Sequence, residues 1–281
     1  MGVSEERLKR GMMLLKRLSE VRVVATDLDG TLTRDRGGFL VPVEVFSAIK
    51  LLRENGVKVI IVTANCFPVA VGFAKYAGAS AVVAENGCMV TTIDDPLHCR
   101  PLSLSDLSAK TVAELVVREL EGRVARSWQN DFRKHDFALI IKSKDESPEK
   151  VVEQVCALVE EKGFSRNFTV SFSGYALHIT PRGCSKLGGL RKVLEIMGER
   201  LENTLGIGDS EIDREFVKAC GVSVAVSNAD EALKEVADII TEKPSGYGFA
   251  ELAEVIVEAK KLAFNKALDD KTRKDLLQNS P

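Results

Sequence analysis

Asp27 and Asp29 stand one residue apart at the end of an apolar run, "VVATDLDGTLT" (residues 23–33). Side chains two apart in extended chain point the same way, so both carboxylates can face one space. Their repulsion is tolerable if a cation sits there or one of them carries a proton. Other segments offer matching groups. Thr63 sits at the polar end of "VIIVTAN", Asp209 ends "NTLGIGD" with Asp213 four residues on, and Lys186 opens a helical stretch. Carboxylate oxygens suit a hard cation such as Mg2+, which takes one or two carboxylates together with water and substrate phosphate. A threonine hydroxyl, a lysine and nearby helix N-termini suit a phosphate. Such a set would hold a divalent cation and a phosphate side by side.

The elements that must position these residues alternate along the chain. "VRVVATD", "VKVIIVTAN", "SAVVAENG", "NTLGIGD", "VSVAVS" and "ADIIT" read as strands. Between them, "PVEVFSAIKLLREN", "PVAVGFAKYAG", "SKLGGLRKVLEIMG" and "SEIDREFVKAC" have helical spacing, with Pro42 opening the first and Gly78 ending the second. Strands that are continuous apolar runs separated by helices imply a parallel sheet covered on both faces. Ligand sites in such sheets lie beyond the carboxyl ends of the strands, where Asp27, Thr63 and Asp209 fall. The interval 88–182 differs. It holds two helical patterns (104–122 and 147–163) and three strands, "HDFALIIKS", "NFTVSF" and "YALHITP", the last two joined by the turn signal Ser173-Gly174. The expected fold is α/β, a doubly wound, Rossmann-like parallel sheet core (21–87 and 183–260) with an inserted α+β cap domain (88–182). An N-terminal amphipathic helix (1–20) and a C-terminal helical tail (261–281), fraying before Pro281, complete the chain. Leu8, Met12 and Leu15 recur at helical spacing, as in a helix that packs on the body or on another subunit, which leaves a homodimer open.

Composition narrows the classes. Of 281 residues 45% are hydrophobic, enough for a core, and the net charge of −2 gives no basic field. Nucleic acid and anionic membrane are therefore not expected partners. No run reaches the roughly 20 apolar residues of a membrane span, and no signal peptide opens the chain, so a cytoplasmic protein is expected. Six cysteines (66, 88, 99, 156, 184 and 220) show no metal-like spacing and read as reduced thiols.

With these residues in order, the chain resembles the haloacid dehalogenase superfamily of phosphohydrolases, whose four motifs match "DLDGTLT", Thr63, Lys186 and "GDSEID". The resemblance implies that Asp27 attacks phosphorus to form an aspartyl phosphate, which water then hydrolyses. Asp29 would protonate the leaving alkoxide and later deprotonate the water. Thr63 and the backbone N–H groups of Ala64 and Asn65 would hold the phosphoryl oxygens. Mg2+ would be held by Asp27, the Asp29 carbonyl, Asp209 and Asp213. A carboxylate nearing a phosphate meets repulsion of about 4 kcal/mol per unit-charge pair at about 4 Å, which the ion and Lys186 would offset. Two departures stand out: Ile212 occupies a position often held by Asn, and Lys186 is flanked by Ser185 and Leu187 where similar chains read close to D-K-G.

The 122 residues between Thr63 and Lys186 leave room for a cap, and the 35 between Asp27 and Thr63 do not. That placement resembles the C2-type caps, whose owners mostly hydrolyse small soluble esters. "VTANCFPVAVGFAKYAGASAVVAENG", "YALHI", "VAVSNADEALKEVAD" and "TEKPSGYG" are similar to archaeal phosphoglycolate phosphatases. The implied reaction is 2-phosphoglycolate to glycolate and phosphate. The alternatives are a sugar phosphate or glycosylated phosphoglycerate phosphatase, a phosphate-moving mutase, and a non-catalytic binding module. A phosphorylated acid needs a cation for its carboxylate, for which the insert offers Arg126, Arg133, Lys134, His135, His178 and Arg182.

Overall fold

A computed structural model describes residues 5–93 and 100–278 of the chain. The apolar runs form the strands β1 (Val23–Thr26), β2 (Lys58–Val62) and β3 (Ala81–Ala84), followed by β4 (Met89–Thr92) and β5 (Leu102–Ser103). After the insert come β10 (Thr204–Gly208), β11 (Val222–Ala225) and β12 (Ile239–Ile240). They make one sheet in the order β12-β11-β10-β1-β2-β3-β4-β5, with β4 and β5 antiparallel and the rest parallel. β1 lies centrally, Val23 in register with Thr204 on one side and Lys58 on the other. Its four residues are buried, as a strand covered on both faces requires.

Strand order reverses at β1, so right-handed crossovers put helices on opposite faces. On one face α2 (Val43–Glu54) packs against α9 (Ser245–Gln278), and its Phe46 ring meets Phe73 of α3 (Phe67–Ala77). On the other, α6 (Lys186–Met197) lies on β3 and β4 and beside α7 (Arg214–Ala219), which covers β10 and β11. α8 (Glu231–Lys234) precedes β12. The N-terminal helix α1 (Glu5–Ser19) packs on α9 of its own body. The expected stripe is not the one it buries. Met12 and Leu15 are exposed, while Leu14 and Leu18 pack into the core, because Arg17 turns the helix to reach Asp238 and the Gly221 carbonyl. The side chain of Leu8 lies outside the described residues.

The insert's sheet is antiparallel, ordered β6-β7-β9-β8: β6 (Val124–Arg126), β7 (Phe137–Ile141), β9 (Leu177–Pro181) and β8 (Phe168–Phe172). β6 is an addition to the three strands the sequence predicts here. α4 (Lys110–Glu119) and α5 (Pro148–Glu161) cover one face, where Leu139, Leu177 and Ile179 join Val112, Val116, Val151 and Val155 in a second core. Met89–Thr92 and Leu102–Ser103, expected in the insert, instead extend the large sheet as β4 and β5. Between β3 and β4, Glu85 and Asn86 hold left-handed backbone (φ 51° and 52°), a conformation that costs a non-glycine residue about 1–3 kcal/mol. There the buried Glu85 carboxylate accepts the N–H groups of Lys134, His135 and Asp136, seating the insert on the core. Cys66, Cys88, Cys156, Cys184 and Cys220 are free thiols, whereas Cys99 and the expected frayed end at Pro281 lie outside the described residues. Among the described residues no helix is long and apolar enough to cross a membrane.

Candidate active site

Asp27 follows β1 directly, its N–H on the Ile207 carbonyl of β10. The turn after it uses every polar residue of "DGTLT". Gly30 (φ +89°) donates its N–H to Thr33 Oγ1 at 2.7 Å, and Thr31 Oγ1 donates to Asp209 Oδ1 at 3.0 Å. A Cβ at Gly30 would collide with the Asp209 carboxylate, so only glycine allows this approach. Across the sheet, the Asp213 Oδ2 accepts the Ser210 N–H and hydroxyl, both at 3.1 Å, in a capping box that aims its Oδ1 inward. Lys186, at the first position of α6, is set by Ser185, whose hydroxyl caps the helix by accepting from the Gly188 N–H. Its Nζ lies 2.6 Å from both Asp27 Oδ1 and Asp213 Oδ1.

Asp27, Asp209 and Asp213 are buried, and one carboxylate oxygen from each lies within 4.8 Å of the others. Burial, and then Asp213, raise the Asp27 pKa well above the usual carboxylate value against the pull of Lys186. Burial and Asp213 likewise push Asp209 up to about 6, opposed by Arg36 and Thr31. Burial alone would depress Lys186, but Asp213 and Asp27 outweigh it and hold the ammonium above its ordinary value. Three carboxylates thus face Lys186 and one guanidinium, Arg36, whose Nε reaches Asp209 Oδ2 at 2.5 Å. An all-oxygen donor set short of positive charge fits a hard divalent cation. The Asp29 carboxylate stands outside this trio, exposed at the mouth. The protein packed around it raises its pKa, while Asn65, Lys186 and His178 pull the other way.

Thr63 and Asn65 occupy the turn between β2 and α3. Thr63 Oγ1 accepts both the N–H and the side-chain Nδ2 of Asn65 at 3.1 Å, which leaves its own proton free to donate. The Asn65 N–H, expected to point at a phosphate, is used by Thr63 instead, and half-buried Ala64 lies between the two. Asn65 Nδ2 also donates to Asp29 Oδ2 at 2.5 Å.

The insert forms a lid over this site. Strand alternation turns His178 and Thr180 of β9 away from the helices, and both bond Asp136, at 3.0 and 2.6 Å. Arg133 meets the same carboxylate at 2.5 Å and Asn86 at 3.2 Å. Burial would raise the Asp136 pKa, but His178, Arg133 and Thr180 hold it down to about 2. Of the other expected cations, Arg126 pairs with Asp131, Lys134 bonds Ser103, His135 is buried on the Leu107 carbonyl, and Arg182 bonds the Ser165 carbonyl. Of these six, His178 is among the groups that lower the Asp29 pKa. Phe39 of the core meets Tyr175 of the lid edge-on at 5.7 Å. Arg36, Gln129 and Asp136 were not legible in the sequence, because none ends a strand of the central sheet or opens a helix after it, and their contacts to Asp209, Asn65 and His178 are made across the fold.

Residues 24–119 and 121–252 match the family of haloacid dehalogenase-like hydrolases. The chain is 37% identical over 241 residues to a phosphoglycolate phosphatase of Staphylothermus marinus, covering 85% of this chain and 98% of that one. It is 35% identical over 240 residues to a phosphoglycolate phosphatase of Metallosphaera sedula, covering 84% and 99%. A solved structure from Thermoplasma acidophilum shares the fold, with a TM-score of 0.69 at 23% identity over 84% of this chain and 98% of that one.

Proposed function

The chain belongs to the haloacid dehalogenase-like hydrolases, and from that premise we propose that it is an Mg2+-dependent phosphomonoesterase whose preferred substrate is 2-phosphoglycolate. The observation that carries the chemistry is the buried Lys186 bridging Asp27 and Asp213, with Asp209 beside them. Lys186 takes one oxygen of Asp27 and leaves the other to attack phosphorus in line with the leaving group. As the Asp27 O–P bond forms and the ester P–O bond breaks, Asp29 gives its proton to the departing alkoxide. Asp29 then takes a proton from water, which attacks the aspartyl phosphate and frees Asp27 and inorganic phosphate. Thr63 donates its hydroxyl to a phosphoryl oxygen throughout. Mg2+, held by the Asp27, Asp209 and Asp213 carboxylates and the Asp29 carbonyl, would supply the charge that polarises the phosphoryl group.

The substrate assignment is supported by the names of the archaeal relatives and by the lid. Of the lid's cationic side chains, His178 acts electrostatically on Asp29, where a leaving group with its own carboxylate would lie. A small ester fits a site whose Asn65 is bonded by Gln129 of the lid better than a phosphoprotein does. Steady-state kinetics on 2-phosphoglycolate, a sugar phosphate and an aryl phosphate, with and without Mg2+, test the reading. A clear preference in kcat/KM for phosphoglycolate and loss of turnover on chelation are expected. Equal rates across the three would replace the phosphoglycolate assignment with a general small-ester phosphatase.

A further inference from the structure

Gln129 sits in the single 3-10 turn Trp128–Asp131 between β6 and β7. The turn is rigidly mounted, since Asn130 exchanges two hydrogen bonds with Ala138 of β7, at 2.8 and 3.0 Å, and Ser127 caps it. From this mount Gln129 reaches across to the core. Its Oε1 accepts the Cys66 N–H at 2.8 Å and an Arg133 N–H at 3.3 Å, both obligate donors. The amide is thereby polarised in one direction, and its Nε2 must face Asn65, whose Oδ1 it bonds at 2.7 Å. With Oδ1 held toward the lid, Asn65 has only its Nδ2 to present inward, to Thr63 Oγ1 and Asp29 Oδ2.

We propose that Gln129 is a positioning residue of the lid that fixes which way the Asn65 amide faces and so aims the Asp29 carboxyl at the leaving group. This rests on the assignment of Asp29 as the acid–base group made above. Without the Gln129 donor, Asn65 is free to turn over and present its oxygen to Asp29 as a competing acceptor for the acid's proton. The carboxyl then swings away from the ester oxygen. Lid and acid are thus coupled through one amide. The proton reaches the leaving group only when the lid is seated.

Polarity, rather than size, is what the inference turns on, so the informative variant keeps the size. Gln129→Glu retains acceptors for Cys66 and Arg133 but has no donor for Asn65, and its carboxylate attracts the Asn65 N–H groups to the lid. Gln129→Leu merely releases Asn65. The assay compares the pre-steady-state rate of leaving-group release from an alkyl phosphate, whose leaving group needs a proton, with that from p-nitrophenyl phosphate, whose leaving group does not, because steady turnover also contains the shared hydrolysis step in which Asp29 is the base. Expected for Gln129→Glu is a loss of about tenfold or more in that rate on the alkyl ester, with its half-saturating concentration and the aryl release rate within about threefold. Gln129→Leu should lose less, and in an Asn65→Leu background neither change should have further effect. Equal losses on both esters, a greater loss in Gln129→Leu than in Gln129→Glu, or full effects in the Asn65→Leu background would overturn the proposal. If Gln129→Glu does not fold, Gln129→Leu with and without Asn65→Leu decides alone, on the ester split and the background effect. An Asp29→Asn control separates the two levels: if that change also leaves the alkyl-to-aryl ratio of release rates unaltered, the acid–base assignment itself falls, whereas a ratio altered in Asp29→Asn but not in Gln129→Glu sinks only the coupling.

Discussion

Replacing Lys186 by Met removes the ammonium that stands 2.6 Å from Asp27 Oδ1 and 2.6 Å from Asp213 Oδ1. At that distance and an effective dielectric of 20, each contact is worth about 6 kcal/mol before desolvation is set against it. All three groups are buried, and removing one partner from such a set costs about 3–5 kcal/mol. The loss carries a pH signature. Burial and Asp213 already hold the Asp27 pKa above its ordinary value of 3.8, and Lys186 is the main force pulling it down. Without Lys186 the folded site binds protons more tightly than the unfolded chain does. Stability should then fall as pH rises from about 4 through the raised folded values. Urea unfolding of Lys186→Met followed by circular dichroism should show a small deficit near about pH 5 and about 3–5 kcal/mol by about pH 8, partly restored by Mg2+. A deficit that is the same at both pH values, or one that Mg2+ leaves untouched, would refute the picture of an under-compensated carboxylate cluster.

Three further outcomes are expected. Asp136 is buried and held down to about 2 from 3.8, so its stabilisation, about 2 kcal/mol, is present above about pH 4 and lost as pH falls through about 2. Acid unfolding monitored by lid tryptophan fluorescence (Trp128) should therefore lose this limb in Asp136→Asn. Arg36 competes with a cation for Asp209 Oδ2, and Arg36→Ala should lower the Mg2+ concentration for half-maximal turnover roughly fivefold, about 1 kcal/mol; an unchanged or higher requirement would show that the guanidinium does not compete. Gly30→Ala must place a methyl group against the Asp209 carboxylate at φ +89°, so it should cost about 1–3 kcal/mol in thermal unfolding and abolish turnover.

The strand-end residues were legible because the parallel sheet converts position along the chain into position in space. Each strand runs from apolar to polar at the same edge, and Asp27, Thr63 and Asp209 arrive together there. Asp213 and Lys186 were legible for a related reason, as each opens the helix after its loop. The lid's contribution was not. Arg133, Asp136, His178 and Thr180 meet only because β7 pairs with β9 in one register, Ala138 opposite His178, and no local pattern announces which antiparallel pairing will occur. Gln129 was invisible for the same reason, since its partner Asn65 is 64 residues away on another domain. The stripe of α1 was misread because Met12/Leu15 and Leu14/Leu18 both fit helical spacing. The choice between them is made by α9 and Asp238, more than 200 residues later. β4 and β5 lie just after the strand at Ala81–Ala84, inside the interval 88–182 that the sequence assigns to the insert.

The central claim is that Asp27 takes the phosphoryl group covalently while Asp29 manages the proton. Its most direct test is acid quench of Asp29→Asn during turnover of p-nitrophenyl phosphate with Mg2+, followed by peptide mass analysis. A leaving group that needs no proton lets the first step run, and the missing base stalls the second. The expected result is a burst of p-nitrophenol close to the enzyme concentration, with the phosphoryl group on the peptide carrying Asp27. Steady phosphate release with no phosphorylated peptide, together with turnover in Asp27→Asn, would contradict it.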